Sequence, residues 1–547
     1  MQGWIGHIRT LRWLALTLLL GSSVTLAGKT GSPALDLGIA RFALGTGDAS
    51  TALLFTRNAS SEHEYLVRAR ALLDLGHTNE ADALLERLLA GDYYRGEAAL
   101  LKSNLVQNPA EQKRLLELAS SKGHGDIRQQ ALFRLAEKAR RNDSPNRAGE
   151  LLASMDEGYW AALGYMNIAA DYAKTDPTPS RALISLRVAM AMAKADSDHQ
   201  RGEALQAELR LRAGYLAYKH DDYAKAISLL EKIPLDSYST PQALYLHGLA
   251  VAAQNKHRDA MQSWHRAKKY PLAFAGVAES WLGTGRGYDL AGYLGQAGEA
   301  YLAASATYES ERVTLRKLAD LVKQKGAYDA MVADTEDTRV EWFLADNRML
   351  AQPRIAYALR FLEQPGAQAS VQRVRRLKGL IMQMERHSAT LKVFRQVLQE
   401  RIGSRVALGD MDANHFKQRL EAVRARIGSV QESRQPDPQQ AGELRQLTLL
   451  LADLEDSVNQ FNGRAAQRDT RLGAYEKTVD RALERIKSNR ARALVLLKEA
   501  SGDLDERMLA FINGESERML VALEKAEQQI AHLYEYLALQ NLSRREP

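Results

Sequence analysis

The chain has 547 residues, no cysteine, 74 Lys and Arg against 67 Asp and Glu, a formal charge of +7 and 45% hydrophobic residues. Without a thiol it can form no disulfide, thiolate nucleophile or cysteine-ligated metal site, and lipobox acylation has no acceptor, because Lys29 stands where that cysteine would be needed. The basic residues are interspersed with acidic ones and form no long or aromatic-interleaved block, so no nucleic-acid partner is expected.

In chain order, residues 1–27 read as a signal peptide. His7, Arg9 and Arg12 form a basic start, an apolar run extends from Trp13 to about Leu20, and Thr25 and Ala27 are placed for cleavage after Ala27. The uninterrupted apolar core falls well short of the ~20 residues that a bilayer-spanning helix requires. The expectation is export to the periplasm of a Gram-negative envelope, not as a lipoprotein. Membrane contact follows only on the competing reading, in which the segment stays uncleaved. Removal of Arg9 and Arg12 with the signal reduces the charge to +5, mild for this length.

Only 13 prolines and 7% aromatic residues accompany abundant Ala, Leu, Arg, Glu and Gln, the residues that lose least on entering a helix. The mature chain is therefore expected to be all-α. Its length exceeds the ~250–300 residues at which a single core stops growing, which leaves several domains or a solenoid.

A repeat decides between them. "YLVRARALLDLGHTNEADALLERLLAG" presents Tyr65, Ala69, Gly76, Ala81 and Leu85. Further on, Ala136, Ala148 and Leu152 precede Ala170, Ala182 and Leu186 by 34 residues. The same step separates Gly214 from Gly248, Ala226 from Ala260, Leu230 from Trp264, and the turn residues Asp221 and Asn255. The spacing is not uniform, since Ala52 to Ala81 is 29 and Ala182 to Ala226 is 44, and only Pro234 and Pro271 stand where a repeat would close. A 34-residue helical hairpin with a small residue inside each helix resembles the tetratricopeptide-repeat superfamily over residues 34–310. The small residues let paired helices approach closely, and the large residue after the second Ala packs onto the next hairpin.

Residues 311–431 are helical and Arg-rich ("VQRVRRLKGL") without a repeat that can be phased. They are either degenerate repeats that continue the solenoid or a separate helical region. The two prolines of "ESRQPDPQQ" (432–440) mark a linker. Beyond it, in a domain spanning 441–547, apolar residues follow a heptad at Leu444, Leu447, Leu451, Leu454, Val458 and Phe461. The pattern resumes at Leu472, Tyr475, Val479, Ala482 and Ile486, and again from Met519 through Leu523, Ala526, Ile530 and Leu533 to Leu537. "SGD" at 501–503 and Gly514 suggest that this segment folds back on itself as a coiled-coil hairpin or helical bundle. The alternative is self-association, or pairing with a partner's helix, through the heptads.

Chemistry is sparse. Glu279-Ser280 and "GLIMQM" (379–384) are faintly similar to fragments of soluble lytic transglycosylases, which use one catalytic Glu on a glycan. They are 99 positions apart, however, and "GLIMQM" carries an extra residue. "GTGRG" (283–287) lacks the lysine-serine pair of a phosphate loop and reads as a helix-breaking turn. His257, His265 and the other histidines show no metal-ligand spacing, and no nucleophile elbow is present. No catalytic residue, metal or cofactor is expected.

The tetratricopeptide resemblance implies a partner-binding groove lined by the first helix of each hairpin. Carried over repeat by repeat, it implicates Phe133, Glu137, Arg140 and Arg141, then Asn167, Asp171 and Lys174. The later hairpins add Leu211, Tyr215, Tyr218 and Lys219, then Tyr245 and Leu249. Tyr mixed with Arg and Lys would suit a peptide with apolar and acidic side chains; the plainer alternative is exposed helix residues with tyrosines packed on one another. The expected function is a non-catalytic adaptor or scaffold for protein partners of the cell envelope. A transglycosylase-like enzyme with an unrecognised catalytic domain and a membrane-tethered structural protein are the alternatives.

Overall fold

The computed structural model describes residues 33–142, 144–332, 353–433 and 438–543; the expected signal peptide lies outside them. Among the described residues every regular element is a helix, and the chain divides into two units.

The first unit covers residues 33–269, with 287–292, and is a run of helical hairpins. These are α1 and α2 (Pro33–Gly45, Ala49–Phe55), α3 and α4 (Glu62–Asp74, Thr78–Leu89), α5 and α6 (Arg95–Lys102, Pro109–Lys122), and α7 and α8 (Gly125–Arg141, Pro145–Ala153). They continue with α9 and α10 (Tyr159–Thr175, Ser180–Lys194), α11 and α12 (His199–Lys219, Tyr223–Leu230), and α13 and α14 (Thr240–Ala253, His257–Ala267). The chain is thus an all-α, tetratricopeptide-like solenoid in this part.

Local chemistry sets the hairpin ends. Ser61 and Glu64 form a reciprocal capping box at the start of α3, and Asn108 caps α6 just ahead of Pro109. Turns between paired helices need a left-handed residue, which Gly76 supplies at φ 78° and Asp221 and Asn255 at 60° and 62°. The latter two are the turn residues that recur at the 34-residue step.

Close approach explains the repeated glycines. A Cβ on Gly214 would lie 2.7 Å from Leu230, and one on Gly248 would lie 2.2 Å from the Trp264 indole of the same hairpin. One on Gly164 would lie 2.2 Å from Leu152 of the preceding hairpin. Leu152 joins Ala136, Ala148 and Ile168, so the large residue of one hairpin reaches the first helix of the next.

The same device corrects the expectation for "GTGRG". It lies inside a helix, α15 (Val277–Leu290), and breaks nothing. A Cβ on Gly285 would lie 2.5 Å from the Tyr301 ring, and one on Gly287 would lie 2.6 Å from Met261. The glycines are there for packing, and burial outweighs their cost of about 1 kcal/mol each in a helix.

The second unit contains residues 270–286 and much of the remainder from 293 onward. Its long helices are α16 (Leu294–Lys325), α18 (Ala367–Ser433) and α19 (Pro438–Ser543), with a π-helical turn at Tyr328–Val332 and the short α17 (Pro353–Leu362). The 67-residue α18 is one continuous helix, so hairpin repeats do not extend through 367–431.

Helix α19 has 106 residues and runs unbroken through Ser501-Gly502-Asp503 and Gly514. The expected fold-back there is therefore wrong. Leu504, Met508, Ile512 and Met519 are all buried, and this packing holds the glycine-containing turns helical.

Two successive helices pair with α19, both antiparallel. Toward its C-terminus, Leu533 meets Gly298 and Asp505 accepts from the Ala327 amide at 2.5 Å. Toward its N-terminus, Arg490 pairs with Glu385 at 2.6 Å, Asp480 with Arg395 at 3.4 Å and Glu455 with Arg424 at 3.3 Å. The Pro-containing stretch expected as a linker falls between α18 and α19, with 434–437 outside the described residues. Of the predicted seam, Leu451, Val479, Met519, Ala526 and Leu533 are buried, whereas Leu447, Leu454 and Tyr475 are more than half exposed.

Candidate protein-binding face

The first helices of adjacent hairpins touch along the solenoid, and the expected groove residues fall on them. Their burial separates scaffold from surface. Leu211 is 6% exposed in a cluster with Leu230, Ala243 and Leu246. It is a core residue and offers a ligand no contact, contrary to the expectation. Tyr218 packs at a tilt against Tyr223, with ring centroids 5.9 Å apart, and covers the cluster of Ala217, Ala226 and Ala250 of the next hairpin. Tyr245 and Leu249 pack between two clusters, and the Tyr245 carbonyl accepts from Trp264 Nε1 at 3.2 Å. These three side chains mainly join hairpins, because the ridge of each first helix is wide enough to be covered by its neighbours.

Arg140 is likewise engaged. Its guanidinium donates to Asp171 Oδ2 at 2.7 Å and Oδ1 at 2.9 Å, and to Glu137 Oε2 at 2.9 Å. Asn167 Nδ2 donates to Glu137 Oε1 at 2.9 Å. Hydrogen bonds donated to Glu137, then to Asp171, hold the guanidinium firmly in its charged form. This network straps α7 to α9, and its two carboxylates outnumber its one cation, so it is no ready anion receptor.

Phe133 packs on Trp160 at a centroid distance of 5.3 Å, and Trp160 meets Tyr159 edge-on. The indole donates to Asp126 at 2.6 Å, and the Arg201 guanidinium lies 4.5 Å over the Tyr159 ring. Arg201 is itself aligned by two hydrogen bonds to Asp196, at 2.7 and 2.9 Å, whose carboxyl the guanidinium holds below its usual range. An aromatic and cationic row thus runs from α7 through α9 to α11. Sequence reasoning found only Phe133 of this row. The "YW" pair at the start of α9, 34 residues after Asp126, was the available signal.

Tyr215, Lys219, Arg141 and Lys174 remain on the surface. Tyr215 is 50% exposed, and Arg212, Tyr215 and Lys219 form one solvent stripe on α11, spaced three and four residues apart. The long α11 supplies this stripe because its N-terminal half is buried against α10.

The other fragments weighed for chemistry are not assembled into a site. Glu279 is exposed on α15, while Ser280 is buried and donates to the Gly276 carbonyl at 2.6 Å. "GLIMQM" lies within α18. Among the described residues no three His, Asp or Glu are grouped as metal ligands.

No protein-family model and no curated protein matches the chain. Among solved structures it is similar to a Rap protein complexed with competence and sporulation factor, at 14% identity and a TM-score of 0.23, over 56% of this chain and 96% of that one. It is also similar to the Cut9–Hcn1 hetero-tetramer, at 14% and 0.21 over 66% and 80%, and to the TPR2AB domain of yeast Sti1 with pHSP90, at 12% and 0.18 over 50% and 90%. The tetratricopeptide-like architecture rests on the hairpins, their 34-residue phase and the glycine contacts above.

Proposed function

We propose that this chain is a non-catalytic scaffold of the cell envelope, exported to the periplasm, that holds a protein partner against the first-helix face of its solenoid. The observation that carries the reading is the solvent-facing stripe of Arg212, Tyr215 and Lys219 on α11, in which Arg212 pairs with Glu208 at 2.8 Å and half-exposed Tyr215 is the anchor. A half-exposed tyrosine beside Lys219 is an anchor for a segment with apolar and acidic side chains, since Tyr is prominent among interface hot spots. Neighbouring hairpins extend the face through Lys174 and Arg141, while the Arg140 network with Glu137 and Asp171 keeps the first helices in register. The N-terminal signal pattern supports export.

The test is in-cell crosslinking with a photoreactive residue at Tyr215, and at exposed Glu231 on the second-helix side as control. The expected result is one protein partner captured from Tyr215 and absent from Glu231. Glycan fragments captured at Tyr215, or the same products from both positions, would overturn the reading.

A further inference from the structure

Along the paired α18 and α19, one stretch displays more apolar surface than a two-helix rod can cover. Toward the end where α18 finishes and α19 begins, Leu420 and Ile427 of α18 and Leu444, Leu451 and Val458 of α19 are the more enclosed positions. Beside them, Phe416, Val423 and Val430 are 53%, 47% and 51% exposed, and Leu447, Leu450 and Leu454 are 51%, 58% and 54% exposed. We propose that this face is an interface between two copies of the chain, which join here as a four-helix bundle.

Helix geometry puts the two triads on one side. At about 100° per residue, Phe416, Val423, Val430, Leu447 and Leu454 trail their own seams by roughly 50° and Leu450 by about 100°, all in the same rotational sense. In antiparallel helices an offset of equal sense points to the same side of the pair. The Arg424–Glu455 contact sets the register, so Val423 neighbours the turn of α19 bearing Leu454, and Val430 that bearing Leu447. The result is a continuous apolar stripe with heptad spacing on both helices, the pattern of a bundle with more than two strands.

Area and charge favour a second copy as the occupant. The six side chains leave roughly 500 Å² of apolar surface, which with flanking residues approaches the ~800 Å² per partner of a standard interface. Residues 415–432 carry four basic and two acidic residues, whereas residues 442–460 carry four acidic and one basic. Two-fold pairing about an axis along the rods lays the basic α18 of one copy over the acidic α19 of the other, with all neighbours antiparallel. The proposal is independent of the solenoid face above.

The experiment is analytical ultracentrifugation of the signal-free chain at micromolar concentration. The wild type is expected to be dimeric and Leu450→Glu/Leu454→Glu monomeric, with unchanged far-ultraviolet circular dichroism. Leu449→Glu, on the opposite side of α19 and 70% exposed, is expected to leave the dimer intact. Arg419→Glu/Arg426→Glu should weaken the dimer, and added Glu443→Lys/Asp453→Lys should restore it. A monomeric wild type, a dimer that survives Leu450→Glu/Leu454→Glu, or a foreign helical protein occupying the face in place of the second copy would overturn the proposal.

Discussion

Replacing Gly248 by alanine tests whether the repeated glycines are contacts or accidents of composition. In an open helix this change stabilises by about 1 kcal/mol. Here the new methyl carbon would lie 2.2 Å from Trp264 Nε1 and 2.6 Å from Cδ1, more than 1 Å inside van der Waals contact. The indole cannot yield easily, because it is 4% exposed and its N–H is held by the Tyr245 carbonyl at 3.2 Å. Overpacking of this kind costs about 1–3 kcal/mol, and loss of the hydrogen bond about 1 kcal/mol more, so the net loss is about 1–3 kcal/mol after the helix gain. Gly149 is the control, since a Cβ there meets nothing within 4 Å, and Gly149→Ala should stabilise by up to about 1 kcal/mol. Repeat arrays often depart from two-state unfolding, so the assay is amide hydrogen exchange by mass spectrometry over 240–267 and 145–153. In a Trp264→Ala background the Gly248→Ala penalty should vanish and the helix gain reappear. Equal protection gains from Gly248→Ala and Gly149→Ala in the wild-type background would refute the reasoning.

Gly502 and Gly514 have open space around the Cβ position, so Gly502→Ala and Gly514→Ala should each stabilise α19 by about 1 kcal/mol, read as slower exchange over 495–520. Faster exchange there would restore the sequence-based expectation of a chain reversal. Burial raises the Glu311 carboxyl above its ordinary range, against the Tyr357 hydroxyl that donates to it at 2.7 Å and the nearby charge of Arg518. A raised folded pKa contributes stability that is present below the unfolded value of about 4.3 and is lost as pH rises through the folded value. Glu311→Gln, which keeps an acceptor for Tyr357, should therefore raise the urea midpoint at pH 7 and lose that advantage near pH 4. A constant difference across this range would contradict it.

The sequence by itself determined the helical class and the hairpin repeat, because both depend on short-range spacing. Residues 34 apart, such as Gly214 and Gly248 or Asp221 and Asn255, occupy equivalent positions in successive hairpins, and a small residue opposite a large one is visible without coordinates. Gly285 and Tyr301 repeat the relation of Gly248 and Trp264, yet a 37-residue step and the loop-like "GTGRG" concealed it. Of the site, periodicity could place Tyr215 on a first helix. It could not tell exposed Tyr215 from buried Leu211 four residues earlier, because that difference depends on where the next hairpin lands. The heptads of α19 likewise announced a helical seam without naming its occupant. Only the tertiary structure decided that α16 and α18 fill successive stretches of it, since a seven-residue pattern fixes which face of a helix is apolar and contains nothing about which distant segment will cover it.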